Sequence, residues 1–240
     1  MLNKISDNIY YLAFDKDYDR PSLGYIVGED MAIMVDSGNS PRHYHEFMNQ
    51  VKKEGLMMPS YCVITHWHWD HTFGICAAEI PVIAHKLTND KLKEMSNWIW
   101  TDEALEQRVK EKIEIEFCAT HMRKEYTDIS EIRVKEADFC FEDQYILDLG
   151  KKRVELIHAQ SSHSDDTVFV YVPDEKIVFL GDGFTEDYYH NQVIYKDRHQ
   201  SLINSLQELD FCVGIHSHLD PLSKEEIMKI LIEMQARVIE

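Results

Sequence analysis

Four residues that can bind metal ions lie within one short segment of the chain. The run His66-Trp67-His68-Trp69-Asp70-His71 contains three imidazoles and one carboxylate, which are usual ligands of zinc, iron and manganese in proteins. In an extended segment, residues two apart project to the same side, so His66 and His68 can hold one ion. After a bend, Asp70 and His71 face a second ion. The run therefore predicts a site for two divalent ions that activate water for hydrolysis.

Additional ligands are expected later in the chain, because each ion needs three or four protein ligands as well as a water molecule. His163, Asp182 and His218 each stand at or just past the end of a segment that we predict to be a strand. The carboxyl ends of strands are where α/β folds place their chemistry. The three positions therefore complete the predicted site.

Two of these positions have a competing histidine nearby. His158 competes with His163, and His216 competes with His218. We favour His163 because His158 falls within the apolar alternation of its own strand, where a structural histidine is common. His216 stays open as an alternative to His218, since residues two apart can share a face.

A framework of strands and helices has to position these groups. Alternating or continuous apolar segments predict strands at residues 9–14, 23–27, 32–35, 61–65, 145–149, 153–159, 168–172, 177–180 and 211–215. Capping residues and periodicity predict helices over residues 41–53 and 198–209 and from Ser223 onward. The order indicates an α/β fold with two β-rich halves.

The segment from about residue 86 to residue 137 interrupts the β-rich pattern. Its apolar residues recur at helical spacing, which predicts a helical cap inserted between the halves. Two predicted faces consist of Leu92, Met95 and Ile99, and of Leu105, Val109, Ile113 and Phe117. Trp98 and Trp100 either line a substrate pocket or pack the cap onto the body, and we favour packing.

Composition narrows the class of protein. The 240 residues carry a formal net charge of -18, which repels phosphate backbones, so no nucleic-acid partner is expected. No apolar stretch approaches the ~20 residues that span a bilayer, and the five cysteines contain no CxxC pair. We therefore predict a cytoplasmic enzyme with a small-molecule substrate and no membrane partner. The oligomeric state is left open.

The chain resembles the metallo-β-lactamase superfamily, whose motif His-x-His-x-Asp-His is followed by His, Asp and His on separate loops. The resemblance implies one domain over residues 1–240 with an αββα sandwich, in which two mixed β-sheets are flanked by helices. It also implies that His66, His68 and His163 hold the first ion, that Asp70, His71 and His218 hold the second, that Asp182 bridges them, and that Asp36 supports the histidine loop. Where many relatives have Gly-His-Gly near the end, this chain has Ser217-His218-Leu219.

The leading functional prediction is hydrolysis of a small ester, thioester or lactone by a hydroxide bridging two divalent ions. Zinc is the expected metal, with iron or manganese as alternatives. Asp70 is expected to orient the nucleophile, and Tyr188, Tyr189 and His190 are candidate donors to the oxyanion. The alternatives are a phosphodiesterase, a non-heme iron oxidoreductase of the same fold, and a metal-binding module without catalysis.

Overall fold

Two β-sheets pack face to face in the computed structural model, which describes residues 1–238. The first sheet contains, in spatial order, β1 (Asn3–Lys4), β2 (Ile9–Leu12), β3 (Leu23–Val27), β4 (Ala32–Val35), β5 (Pro59–Val63), β6 (Val82–His85) and β7 (Phe139–Phe141). The second contains β8 (Gln144–Asp148), β9 (Arg153–His158), β10 (Val168–Val172), β11 (Ile177–Gly181), β12 (Val213–His216) and β13 (Leu222–Ser223), in the spatial order β13-β12-β11-β10-β9-β8. Both sheets mix parallel and antiparallel pairs. The predicted pair of mixed sheets is confirmed.

Helices cover the outer faces of the sheets. They are α1 (Pro41–Lys53), α2 (Trp69–Thr72), α3 (Lys86–Met95), α4 (Asp102–Lys110), α5 (Glu116–Glu125), α6 (Lys196–Glu208) and α7 (Lys224–Met234). Phe47 of α1 packs on the first sheet, while Leu206 of α6 and Leu231 of α7 pack on the second. Within residues 1–238, no helix has the length and apolar content needed to cross a bilayer.

The main core lies between the two sheets. Val35, Val63 and Ile83 from the first sheet are buried with Val170 and Phe179 from the second. Removing such side chains from water contributes roughly 1.5–3 kcal/mol each. The strands that end near the predicted ligands are therefore held firmly from both faces.

The cap is helical as predicted, and Leu92, Met95 and Leu105 are buried as expected, but the exposed Ile99, Ile113 and Phe117 do not continue the predicted faces. Helix α3 ends at Met95 and leaves Ile99 70% exposed. Helix α4 ends at Lys110, because Lys112 adopts a left-handed backbone with φ of 59°, which a continuing helix cannot contain. Phe117 lies in the first turn of a separate helix, α5, and is 55% exposed. The strands β6 and β7 also flank the cap, and their four and three residues are too short for a clear alternating pattern.

The two tryptophans of the cap pack it onto the body, as predicted. Trp100 is 8% exposed, and its ring centroid lies 5.2 Å from that of Phe73. The Arg108 guanidinium lies 4.5 Å from the Trp100 centroid and 4.8 Å from the Trp98 centroid. These contacts stabilise the cap on the helix that follows the histidine run.

Helix α1 contains a buried histidine that links stability to pH. His43 is 1% exposed, and burial, assisted by Arg20, lowers its pKa to about 3. The unfolded chain protonates this ring near pH 6.5. The contribution of neutral His43 to stability is therefore fully present above pH 6.5. It is lost as the pH falls towards the pKa of about 3 that His43 has in the folded protein.

We expect the buried His43 to cost the native protein roughly 2 kcal/mol of unfolding free energy between pH 7 and pH 5. Urea unfolding of the wild type and of His43→Phe at both pH values measures this loss. The variant should gain about that amount relative to the wild type at the lower pH, because other titrating groups cancel in the difference. If the difference in unfolding free energy between the two proteins were the same at pH 7 and pH 5, the lowered pKa of His43 would be wrong.

Candidate metal centre

Three imidazoles converge beyond the ends of β5 and β9. The Nε2 atom of His66 lies 3.1 Å from Nδ1 of His68 and 3.2 Å from Nε2 of His163. Burial is the main cause that lowers the pKa of all three rings below the ordinary value. The rings are therefore neutral at neutral pH, and their converging nitrogens suit one divalent cation.

The outer nitrogen of His163 fixes which ring atom faces the cluster. Its Nδ1 lies 3.1 Å from the carbonyl oxygen of Glu186 and 2.7 Å from the hydroxyl of Thr185. Because a carbonyl only accepts, Nδ1 carries the proton and donates to it, and Nε2 keeps its lone pair. Such outer partners orient metal-binding imidazoles in proteins.

A second cluster consists of Asp70, His71, Asp182 and His218, whose ligand atoms all lie within 4.8 Å of one another. Oδ2 of Asp70 lies 3.0 Å from Nε2 of His218 and 3.1 Å from Nε2 of His71. Oδ2 of Asp182 lies 3.4 Å from Nε2 of His218 and 3.8 Å from Nε2 of His163. Asp182 is therefore within reach of both clusters.

The charges of the second cluster favour a cation. Burial opposes ionisation of Asp70 and Asp182, but the neighbouring histidines outweigh it and lower both pKa values. Burial likewise opposes protonation of His218, yet Asp182 and Asp70 raise its pKa to about 9. Two buried carboxylates thus stay ionised at neutral pH and attract positive charge.

Two buried atoms of this cluster make no hydrogen bond. Nε2 of His71 and Oδ1 of Asp182 are shut off from solvent and have no partner in hydrogen-bonding geometry. Leaving a buried polar atom unpaired costs about 1–3 kcal/mol, which coordination to an ion would offset. The described residues therefore fit two divalent ions, and zinc, iron and manganese all accept this set of nitrogen and oxygen donors.

Asp36 lies behind the histidine loop at the end of β4. Its Oδ1 accepts the backbone N–H of Thr65 at 2.7 Å, and its Oδ2 lies 2.8 Å from Nδ1 of His71. This contact directs Nε2 of His71 towards the second cluster. The backbone of Asp36 has φ of 62°, a left-handed conformation that aspartate tolerates better than most residues.

The surroundings of the competing histidines distinguish His158 from His163 and His216 from His218. Nε2 of His158 donates to the carbonyl oxygen of Asp165 at 2.7 Å, and its ring stacks on His85 with centroids 4.0 Å apart. His216 lies close to the second cluster but is not part of it. The predicted His163 and His218 are the ones that the fold brings to the other candidate ligands.

Both clusters open into one cavity of about 690 Å³. Its remaining walls come mainly from the loop after β2, the start of α5 and the segment after β11, namely Phe14, Lys16, Asp19, Ile115, Phe117, Cys118, Thr185, Tyr188, Tyr189, Gln192 and His216. The sequence patterns did not assign the wall residues of the first two segments to a substrate cavity. Phe117 carried an apolar signal, but the pattern assigned it to a helix face.

The three candidate oxyanion donors occupy different surroundings. The hydroxyl of Tyr189 donates to Oε1 of buried Glu114 at 2.8 Å, so it is already engaged. His190 lies outside the cavity, with Nδ1 2.7 Å from Oδ2 of Asp187. Tyr188 lines the cavity and is 39% exposed. Tyr188 is therefore the candidate whose position suits the role.

Comparison with solved structures supports the fold. A metallo-beta-lactamase from Pontibacter korlensis is 18% identical, with a TM-score of 0.63 over 97% of this chain and 98% of that one. A metallo-beta-lactamase family protein from Thermus thermophilus is 17% identical, with a TM-score of 0.68 over 97% of this chain and 80% of that one. At these identities the likeness concerns the fold alone.

Sequence comparison gives the family. The human acyl-coenzyme A thioesterase MBLAC2 is 20% identical over 188 residues, which are 74% of this chain and 64% of that protein. The sequence profile of the metallo-beta-lactamase superfamily matches residues 18–214. The chain therefore belongs to the metallo-β-lactamase superfamily.

Proposed function

We propose that the chain hydrolyses a small ester, thioester or lactone that carries an apolar acyl group. The observation that carries this proposal is that both ligand clusters open into a cavity whose other walls include Phe14, Ile115 and Phe117. Apolar walls of this kind bind hydrocarbon groups by removing them from water. The name of the human relative, a thioesterase acting on acyl-coenzyme A, supports the same chemistry.

The charge of the cavity favours an acyl group over a phosphodiester. Among the described residues that line it, Lys16 is the one lysine or arginine. Arginine and lysine side chains are common partners of phosphate groups in proteins. A neutral carbonyl substrate with an apolar tail suits these walls better.

The proposed ligand set follows the two clusters. His66, His68 and His163 hold the first ion, Asp70, His71 and His218 hold the second, and Asp182 is shared between them. When bound, the ions lower the pKa of water towards ~7 and polarise a carbonyl oxygen. The domain is proposed to span the whole chain, with residues 86–137 as its cap.

The remaining groups act on the substrate and the attacking water. The ionised carboxylate of Asp70 orients the water by accepting a hydrogen bond from it. The hydroxyl of Tyr188 donates to the oxygen that gains negative charge as the carbonyl is attacked. Ile115 and Phe117 exclude water from the acyl chain.

Tyr188→Phe is expected to lower kcat by roughly 100-fold and to change KM little, because the lost donor acts on charge that develops only in the transition state. Steady-state kinetics on the best acyl substrate measure both constants. Tyr195→Phe is the matched control, since that hydroxyl lies outside the cavity and donates to Asp187 at 3.1 Å. Equal kcat values for Tyr188→Phe and the wild type would remove Tyr188 from the reaction.

A substrate screen tests the proposed function as a whole. Thioesters, esters and lactones of graded acyl length are compared with phosphodiesters, using chelator-treated protein as the negative control. We expect acyl hydrolysis that improves with apolar chain length and stops after chelation. Phosphodiester hydrolysis without acyl hydrolysis would contradict the proposal, and so would an oxidoreductase activity of iron-loaded protein in the absence of hydrolysis.

A further inference from the structure

His216 and His218 stand two residues apart at the end of β12 but have different surroundings. Nε2 of His218 points at Asp70 and Asp182, at 3.0 and 3.4 Å. The ring of His216 lies in the wall of the same cavity, yet it belongs to neither ligand cluster. The role of His216 therefore has to be found in its own contacts.

The side chain of His216 binds the backbone of His218. The N–H of His218 donates to Nδ1 of His216 at 3.0 Å. Nδ1 therefore carries no proton, and in a neutral imidazole the proton then sits on Nε2. Nδ1 is occupied by the backbone donor. Nε2 is buried without a hydrogen-bond partner, but in this tautomer it carries the proton and so offers no lone pair to an ion.

Packing holds the ring of His216 in this orientation. The side chain is 3% exposed, and its centroid lies 4.5 Å from that of the Phe184 ring. A ring held in this way presents a fixed acceptor to the N–H of His218.

Three hydrogen bonds hold the turn that carries His218. The N–H of Ser217 donates to the carbonyl oxygen of Gly181 at 3.1 Å, at the end of β11. The carbonyl oxygen of Ser217 accepts the N–H of Ser22 at 2.7 Å. The bond to Nδ1 of His216 is the third restraint, and the only one of the three that acts on the backbone of His218 itself.

We propose that His216 is a positioning residue for the second ion, holding the backbone of His218 so that its imidazole reaches Asp70 and Asp182. His216 itself is not a ligand. This inference rests on the ligand set of the proposed function but not on the substrate. Outer partners of this kind change metal affinity by about 10–100-fold when they are removed.

The test compares variants that keep or lose the acceptor. His216→Asn places a carbonyl oxygen near the position of Nδ1, whereas His216→Phe keeps a ring without an acceptor. His218→Ala gives the effect of losing a ligand. His199→Phe is the matched control, because it removes another buried imidazole, whose Nε2 donates to the carbonyl oxygen of Leu231 on α7 at 2.9 Å.

Metal-buffered Zn²⁺ titration gives the affinity of each variant for each ion. We expect His216→Phe to weaken one of the two ions by about 10–100-fold, and His216→Asn and His199→Phe to match the wild type. Ring ¹H–¹⁵N spectra of the wild type should show Nε2 of His216 protonated both before and after Zn²⁺ is added.

Three results would overturn the proposal. His216→Phe could bind both ions with wild-type affinity, His216→Asn could lose an ion as fully as His218→Ala, or Nε2 of His216 could lose its proton when Zn²⁺ binds. These affinities decide the proposal whether or not an acyl substrate is hydrolysed. A failure of the proposed reaction is seen separately, in the substrate screen.

Discussion

Replacing Asp182 by alanine is expected to lower kcat/KM for an acyl substrate by about a thousandfold or more, equivalent to about 4 kcal/mol. Asp182 is the acidic side chain within 4 Å of histidines from both clusters, since its Oδ2 lies 3.8 Å from Nε2 of His163 and 3.8 Å from Nε2 of His71. Without it, two cations would share the site with no anion between them. Steady-state kinetics and metal content of the same preparations measure the effect.

Asp182→Asn is the control for size and shape. It keeps the side-chain volume but removes the negative charge, so its activity should also fall steeply. Urea unfolding establishes that both variants are folded. If Asp182→Ala kept two ions per chain and wild-type kinetics, the bridging role would be wrong.

Replacing Glu125 by alanine is expected to reduce the unfolding free energy by about 3–5 kcal/mol. The carboxylate of Glu125 has no solvent exposure and lies 3.0 Å from Nη2 of Arg20 and 2.8 Å from Nη2 of Arg42. It also accepts the hydroxyl of Ser40 at 2.5 Å. Removing the carboxylate leaves the Arg20 guanidinium, itself 11% exposed, with the half-exposed Glu46 at 2.8 Å in place of its buried partner.

This ion cluster also connects two parts of the cavity wall. Glu125 ends α5, whose first turn carries Phe117, while Arg20 follows the loop that carries Lys16 and Asp19. We therefore expect Glu125→Ala to raise KM more for long acyl chains than for short ones, because the apolar wall loosens. Kinetics over a chain-length series at a temperature where the variant is folded measure this change.

Glu106→Ala provides the control for losing a glutamate from the cap. Glu106 is 60% exposed and lies 3.9 Å from Arg123, and such surface pairs contribute about 0–1 kcal/mol. Urea unfolding should therefore show a small change for Glu106→Ala and a large one for Glu125→Ala. Equal losses in the two variants would show that the buried cluster does not stabilise the cap.

The positions of the candidate ligands could be predicted from the sequence because each combines a metal-binding side chain with a recognisable strand end. His163 follows β9 and Asp182 follows β11, and the parallel pairing of β11 with β12 brings Asp182 beside the turn that carries His218. Strand ends are marked by local apolar patterns, and the topology brings them to one edge.

The cavity wall and the cap could not be predicted in the same way. The end of α4 and the start of α5 depend on the left-handed backbone of Lys112, and no glycine or proline in the sequence marks this position. Asp19 reaches the cavity because its loop is held through Arg20 and Glu125, a contact between residues 105 positions apart. The bond from the His218 backbone to His216 likewise depends on the shape of a turn. Such features arise from tertiary contacts, which produce no periodic pattern in the amino-acid sequence.

The central claim is that His66, His68, His163, Asp70, His71, Asp182 and His218 hold two divalent ions that hydrolysis requires. It is tested most directly by titrating chelator-stripped wild-type protein with Zn²⁺ while ion binding and acyl hydrolysis are followed together. The account predicts two ions bound per chain, with hydrolysis absent from the stripped protein and restored as the sites fill. Full hydrolysis by the stripped protein would contradict it.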